Sequence, residues 1–398
     1  IGMKIALIQE RKNPPDNRVA LTPVQCVSLM NRYPEVEVWV ESSPHRCFSD
    51  QDYRDAGISV MDSVAEADVL LGIKEVPIDS LLPNKTYLFF SHTIKKQPYN
   101  RALFQQLVKQ HIRMIDYEVI KWPNGQRVLG FGRYAGIVGA YNGLLTYGKK
   151  MQMFELKPAY QCSDYTDILS RAAAVKLPPI KMVLTGGGRV AQGALDFLRN
   201  LRIREVTPTQ FLNRQYNEAV FVHLNSPDLY QHPTRKSWNT AHFYQHHSQY
   251  ESRFQPYTQV ADLLLNGLFW TEDLPRLFEA SDSAHPGFTL PVIADISCDV
   301  NGSVPLTYKA TSIPDPCIGW DRTNQAPADP WSPNSIAIMA VTNLPNELPQ
   351  DASEEFGENL LQYVIPELLA QDSALIQGAT LCQRGQLGED FGYLADYL

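Results

Sequence analysis

The chain has 398 residues, about twice an ordinary domain, so two domains are expected. Its 44% hydrophobic content suits a sizeable core, and 35 basic against 43 acidic side chains give a net charge of -8 that excludes a dominant nucleic-acid surface. No apolar run approaches the roughly 20 residues that span a bilayer. The six cysteines (Cys26, Cys47, Cys162, Cys298, Cys317, Cys382) are scattered without a Cys-x-x-Cys pair, the pattern of reduced thiols in a cytoplasmic protein, and none signals a metal. Neither nucleic acid nor a membrane is an expected partner; small-molecule substrates are, and a homo-oligomer is left open. Ile1-Gly2-Met3-Lys4 shows no basic-then-apolar leader, and Met3 is expected to be the natural start.

Short apolar runs alternate with helix-length amphipathic stretches, the pattern of parallel α/β layers. Lys4–Gln9 reads as a first strand. Thr22-Pro23-Val24-Gln25 then opens a helix, with Thr22 as N-cap, Pro23 at the first helical position and Gln25 closing a capping box. Further strands are expected at Glu37–Glu41, Val69–Gly72, Tyr87–Phe90, Ile112–Asp116 and Val128–Gly132. A glycine-rich passage from Gly130 to Gly143 leads into a helix ending near Lys150, read as the bridge between domains. The second domain carries expected strands at Ile180–Thr185, Ala219–Leu224, Ala261–Leu265, Val292–Ile296 and Ile336–Ala340. Asn225–Pro256 and Ser281–Pro291 read as long connections, and Ala352–Ala370 and Ser373–Ile376 as helical returns to the first domain. The expected division is 1–140 plus 345–398 for a substrate domain and 141–344 for a dinucleotide domain.

The strand Ile180–Thr185 runs into Gly186-Gly187-Gly188-Arg189-Val190-Ala191, followed by a helical pattern. That order is what a pyrophosphate needs: Gly186 for a tight turn, Gly188 for close backbone approach, and a helix start with free N–H groups. The acidic residue that grips a ribose should follow about 20 residues later. Glu205 stands near that place, but the apparent strand end, Val206-Thr207, is neutral, and Arg189, Arg202 and Arg204 are at hand for a 2′-phosphate. The cofactor is read as NAD(P)H with a lean toward NADPH.

Two acid–base candidates follow strands of the first domain: Lys74, in Ile73-Lys74-Glu75, and His92, in Phe90-Ser91-His92. Ligands of open parallel sheets bind outside the carboxyl ends of strands, and an imidazole suits proton delivery near neutral pH. Arg18, Arg127 and Lys95 are candidate carboxylate clamps, arginine being favoured for its planar fork. His242, His246 and His247 have zinc-like spacing but no Cys, Asp or Glu at ligand spacing, so no metal is expected.

The blocks NRVALTP (17–23), KTYLFFSHTIKKQ (85–97), IRMIDYE (112–118), VLTGGGRVAQGA (183–194), YESRF (250–254), LLNGLFW (264–270), DISCDVNGS (295–303) and NLPNELPQDAS (343–353) span nearly the whole chain. In that order they resemble the lysine–ketoglutarate reductase domain, the saccharopine-forming half of the bifunctional aminoadipic semialdehyde synthases. More distantly the chain is similar to fungal lysine-forming saccharopine dehydrogenases and to alanine dehydrogenase with the transhydrogenase domain. The resemblance implies two Rossmann-like doubly wound domains, the first discontinuous, with an active site in the cleft between them that closes to exclude water. It implies Lys74 and His92 as the catalytic pair, and Arg18, Lys95, Glu118 and Arg127 around the substrate. It also implies Asp295 and Asp299 beside the nicotinamide end of the cofactor. One position departs: relatives carry aspartate before Asn-Leu-Pro, where it can pair with the catalytic lysine, and here the residue is Thr342.

The expected reaction is reversible reductive condensation of L-lysine with 2-oxoglutarate to saccharopine. The alternatives are an ammonia-dependent amino-acid dehydrogenase of the alanine type and a non-catalytic NAD(P)-binding protein, the latter suggested by Thr342.

Overall fold

The computed structural model describes residues 2–398. The chain forms two compact units, 1–131 with 349–398, and 132–348. Each unit is built on an eight-stranded, largely parallel sheet.

In the first unit the strands are β1 (Lys4–Leu7), β2 (Glu37–Glu41), β3 (Ser59–Met61), β4 (Val69–Leu71), β5 (Thr86–Phe89) and β6 (Arg113–Asp116). All pair in parallel in the order β6-β5-β4-β1-β2-β3, and Thr380–Gln383 and Gln386–Leu387 extend the β6 edge antiparallel. The order reverses between β1 and β4, so the crevice at their carboxyl ends is the topological switch point where doubly wound sheets bind ligands. Helix α1 (Pro23–Arg32) starts as the sequence requires, with Thr22 and Gln25 forming the capping box. Helices α2 (Asp50–Asp55) and α3 (Arg101–Lys109) follow. Apolar layers cover both sheet faces, one including Leu29, Phe356 and Val364, the other Phe104, Leu107 and Leu394.

The stretch 128–131 forms no strand: Val128 donates to Ile120 O at 3.0 Å, and a single bridge joins Lys121 to Arg127. Most of the glycine-rich passage, from Gly132 on, lies inside the helix it was expected to lead into, α4 (Gly132–Met151). In the second unit α5 (Tyr165–Ala174) precedes β7 (Lys181–Thr185), α6 (Arg189–Asn200), β8 (Arg204–Glu205), α7 (Pro208–Asn213) and β9 (Val220–Leu224). The expected connection 225–256 contains a small antiparallel ribbon of β10 (Tyr230–Gln231) and β11 (Glu251–Ser252). Then come β12 (Leu263–Asn266), β13 (Val292–Asp295), β14 (Cys317–Asp321), β15 (Ala326–Ala328) and β16 (Ser335–Met339). The order is β15-β14-β16-β13-β12-β7-β9-β8, parallel except for β14 and β15. The sheet reverses direction between β7 and β12, immediately beside the glycine turn.

Glycine sets how α4 packs. A Cβ at Gly136 would stand 1.8 Å from Val190 O, and one at Gly193 would stand 1.8 Å from Arg133 O. The two helix backbones therefore touch, and any side chain at either position would collide.

No helix among the described residues is long and apolar enough to cross a membrane, and none of their His, Cys, Asp and Glu side chains form a group of three or more fit for a metal.

Candidate functional site

At the switch point of the first sheet, the loop after β1 meets the loop after β4. Glu10 accepts from Lys74 N at 2.6 Å and from Ile73 N at 3.1 Å, tying the two strand ends together. Burial lifts its carboxyl to about 8, Asp16 adds to the rise, and the two backbone N–H groups oppose it. Lys74 is thereby fixed at the rim of β4. Burial and then the Arg18 guanidinium pull its ammonium below the usual value, with Asp16 and Glu75 opposing.

Glu75 turns the other way and organises a polar chain. Its Oε1 lies 2.7 Å from His92 Nδ1, and its Oε2 accepts from Lys12 Nζ at 2.7 Å. Although burial works against the charge, these two partners hold the carboxyl well below the usual carboxylate range. His92 stands at φ +52°, a left-handed conformation uncommon outside glycine. Asn100 stabilises that turn, its Nδ2 donating to Ser91 O at 2.9 Å and to Glu75 Oε1 at 3.2 Å. Below it, Asp116 at the end of β6 accepts from Ser91 N at 3.1 Å and from the Ser91 hydroxyl, and burial raises its carboxyl to about 6. A His92 ring held through Nδ1 by a carboxylate presents Nε2 as its working nitrogen.

Arg18 differs from its expected role as a free clamp. Its Nε and Nη2 bind Asp16 at 3.0 and 2.7 Å, both side chains are 4% exposed, and the guanidinium lies 4.4 Å from the Phe131 ring centroid. Only Nη1 is left outside this fork. Glu118 and Arg127 are brought together, Arg127 Nη2 donating to Glu118 Oε1 at 3.1 Å. Lys95 is exposed on the loop after His92, its backbone N–H bonded to Gln97 Oε1 at 3.1 Å. Sequence reading missed Glu10, Lys12, Asp16 and Asn100. A signal existed for the first three: charged residues crowd a non-periodic stretch between a buried strand and a capped helix, where loops carry function.

In the second unit, Gly186 has φ +113°, and a Cβ there would meet Gly267 O at 2.5 Å, so only glycine fits this crossing of the β7 and β12 ends. A Cβ on Gly188 would meet nothing within 4 Å, leaving open space over the turn. Helices α1, α2 and α7 begin with side-chain caps, whereas α6 begins at Gly188 with none. An exposed turn with uncapped N–H groups at the start of a helix of 12 residues fits a dinucleotide pyrophosphate. Gly187 and Arg189 are exposed beside it, while Val190 packs its Cγ1 3.2 Å from the position of a Gly267 Cβ.

Asp295 closes a buried network across the strand ends. It accepts from Asn266 Nδ2 at 2.9 Å and Thr307 Oγ1 at 2.6 Å, and Asn266 in turn accepts from Thr185 Oγ1 at 2.7 Å. Burial raises the Asp295 carboxyl to about 6. At 1% exposure it shapes the loop after β13, while Asp299 is exposed. Thr342 is also exposed.

Residues 6–138 match the family profile described as alanine dehydrogenase/PNT, N-terminal domain. Over 98% of its length the chain is 27% identical to alpha-aminoadipic semialdehyde synthase of Arabidopsis thaliana and 28% identical to the mitochondrial one of Mus musculus. That similarity runs along nearly the whole chain. The chain spans 41% and 47% of those two proteins, so it corresponds to less than half of each. It is also 26% identical to the saccharopine dehydrogenase [NAD(+), L-lysine-forming] of Yarrowia lipolytica, covering 94% of both chains. Among solved structures, an L-alanine dehydrogenase matches with a TM-score of 0.66 at 19% identity over 100% of both chains, which shows a shared fold. A transhydrogenase from Sinorhizobium meliloti matches with a TM-score of 0.59 at 14% identity, covering 96% of this chain and 98% of that one. The expected resemblance to the saccharopine-forming reductases, and through residues 6–138 to the alanine dehydrogenase/PNT group, is borne out.

Proposed function

We propose that this chain is an NAD(P)H-dependent oxidoreductase that reversibly joins the ε-amino group of L-lysine to the ketone of 2-oxoglutarate, giving saccharopine. The observation that carries the reading is the Lys12–Glu75–His92 chain beside a Lys74 of lowered basicity, at the switch point of the first sheet.

Condensation requires two proton movements. The substrate ammonium must shed a proton before its nitrogen attacks the ketone carbon, and Lys74, partly desolvated, is the base placed for it. The resulting carbinolamine then loses its hydroxyl as water, with the nitrogen lone pair closing the C=N bond. Protonated His92 delivers the required proton from Nε2, while Glu75 holds Nδ1–H and stabilises the imidazolium. When bound, NAD(P)H would supply the hydride that reduces the C=N carbon. Gly186, Gly187, Gly188, Arg189 and Val190 would hold its pyrophosphate, with Asp295 and Asp299 shaping the nicotinamide end. Arg127, Lys95 and Arg18 Nη1 supply cations for the substrate carboxylates, and Glu118 an anion for the lysine α-amine.

The test is oxidation of NADPH or NADH by the folded protein with lysine plus 2-oxoglutarate, with saccharopine identified by mass spectrometry. No product with either nucleotide would sink the reading. The likeness in fold to an alanine dehydrogenase along the whole chain supports a second reading, ammonia-dependent reduction of a 2-oxo acid. Turnover with pyruvate and ammonia but not with lysine would favour it. Nucleotide binding with no turnover on either substrate set would leave a non-catalytic binding protein, which Thr342 favours.

A further inference from the structure

The dinucleotide reading leaves open which residue meets the adenosine ribose. Counting along the chain points to Glu205, on the assumption that the strand next in sequence is next in space. That assumption fails here. β8 follows β7 in the chain but lies at the sheet edge, and β9 intervenes between them. Glu205 pairs with Phe221, whereas Leu224 pairs with Thr185, the last residue before the glycine turn. Glu205 is therefore two strand spacings to the side, roughly 10 Å, and three residues short of the turn, about another 10 Å. Its carboxylate lies 3.5 Å from Arg199.

The residue that does reach the turn is Asn225. The end of β9 is bonded to it: Gly186 N donates to Leu224 O at 3.0 Å, and His223 Nε2 lies 2.6 Å from Gly186 O. Asn225 follows directly, and its Oδ1 is 3.2 Å from where a Gly187 Cβ would stand. The three arginines also sort themselves. Arg202 lies beyond the far end of α6, about 18 Å along the axis from its start. Arg204 sits on β8, 3.6 Å from Glu218 and over the Tyr216 ring. Arg189 alone of the three stands at the turn, as the first residue of α6.

We propose that Asn225, and not Glu205, is the residue that reads the adenosine ribose. This rests on the dinucleotide reading above. A carboxylate at this place accepts hydrogen bonds from both ribose hydroxyls and repels a 2′-phosphate. A carboxamide offers one donor and one acceptor, so it serves a phosphate or a hydroxyl, with Arg189 as the nearby cation.

Calorimetric binding of NADPH, NADH, adenosine 2′,5′-bisphosphate and 5′-AMP to the intact chain tests this, with thermal melting confirming that each variant is folded. Asn225→Asp should weaken NADPH and the bisphosphate by about tenfold or more, and NADH and AMP by less than about threefold. Asn225→Ser should hold NADPH within about threefold, and Glu205→Gln should change nothing by more than about twofold. Equal losses in Asn225→Asp or a nucleotide shift in Glu205→Gln would each overturn the assignment alone. Failure of folded wild type to bind any of the four overturns the dinucleotide reading with it.

Discussion

His92 is held by three separate devices: the Glu75 carboxylate on Nδ1, a left-handed backbone turn, and Asn100 across that turn. Under the proposed mechanism, replacing it by glutamine removes the proton donor while leaving Glu75 a hydrogen-bond partner, and kcat for saccharopine formation should fall by about 10²- to 10⁴-fold. Glu75→Gln keeps the shape but removes the charge that steadies the imidazolium, so kcat should fall while KM for 2-oxoglutarate stays close to wild type. Steady-state kinetics at fixed pH checks both, and an unchanged kcat in His92→Gln would exclude it as the acid. Arg18 needs a different test, because its fork is given to a buried aspartate. Arg18→Ala leaves Asp16 charged and unpaired, at a cost of about 3–5 kcal/mol, so lowered thermal stability should accompany any loss of activity. The double variant Arg18→Met with Asp16→Leu should recover much of that stability without recovering activity.

At the scale of elements, the contact between α4 and α6 depends on two glycines. Each costs roughly 1 kcal/mol of helix propensity, offset by backbone-to-backbone packing that no other residue permits. Gly136→Ala drives a methyl against Val190 O and should destabilise the second unit by at least about 1–3 kcal/mol. Gly378, in the helix Ala374–Ala379, is the control: a Cβ there meets nothing within 4 Å, so Gly378→Ala should be neutral or stabilising. Thermal midpoints of the intact chain decide, and a harmless Gly136→Ala would refute the packing. These helices also show what was legible. The buried central strands were readable because their apolar runs lie between turn residues, and α1 because its cap is local. The passage 130–143 was not, because glycine weakens a helix on its own account and only the partner helix explains it. β14 (CIGWD) and the C-terminal strands lie toward the sheet edges, where mixed burial blurs the pattern.

For the whole molecule, buried carboxyls set the pH response. Glu10 is lifted to about 8, Glu347 to about 7, and Asp116 and Asp295 to about 6, in each case first by burial. The unfolded chain has given up these protons by about pH 5, while the native chain still holds them. The native state therefore binds more protons across this window, and stability falls as pH rises from about 5 to about 8. Glu75 and Asp16, both held low, are ionised in either state there and contribute no slope. The thermal midpoint should be lower at pH 8 than at pH 6, and Glu10→Gln, which keeps an acceptor for Lys74 N, should flatten the difference. An identical slope in Glu10→Gln would show that this carboxyl titrates normally.

The sequence alone determined what depends on neighbours along the chain: two α/β units, the capped first helix, the strand–glycine–helix turn, and Lys74 and His92 at strand ends. Only the tertiary structure decided which distant groups share a site. It brought Lys12, Glu75 and His92 into one hydrogen-bonded chain, tied Arg18 to Asp16, and inserted β9 between β7 and β8 so that Asn225 displaces Glu205 at the turn. The reason is physical: capping and periodicity are set within a few residues, whereas strand order and buried charge pairing arise from segments far apart in sequence.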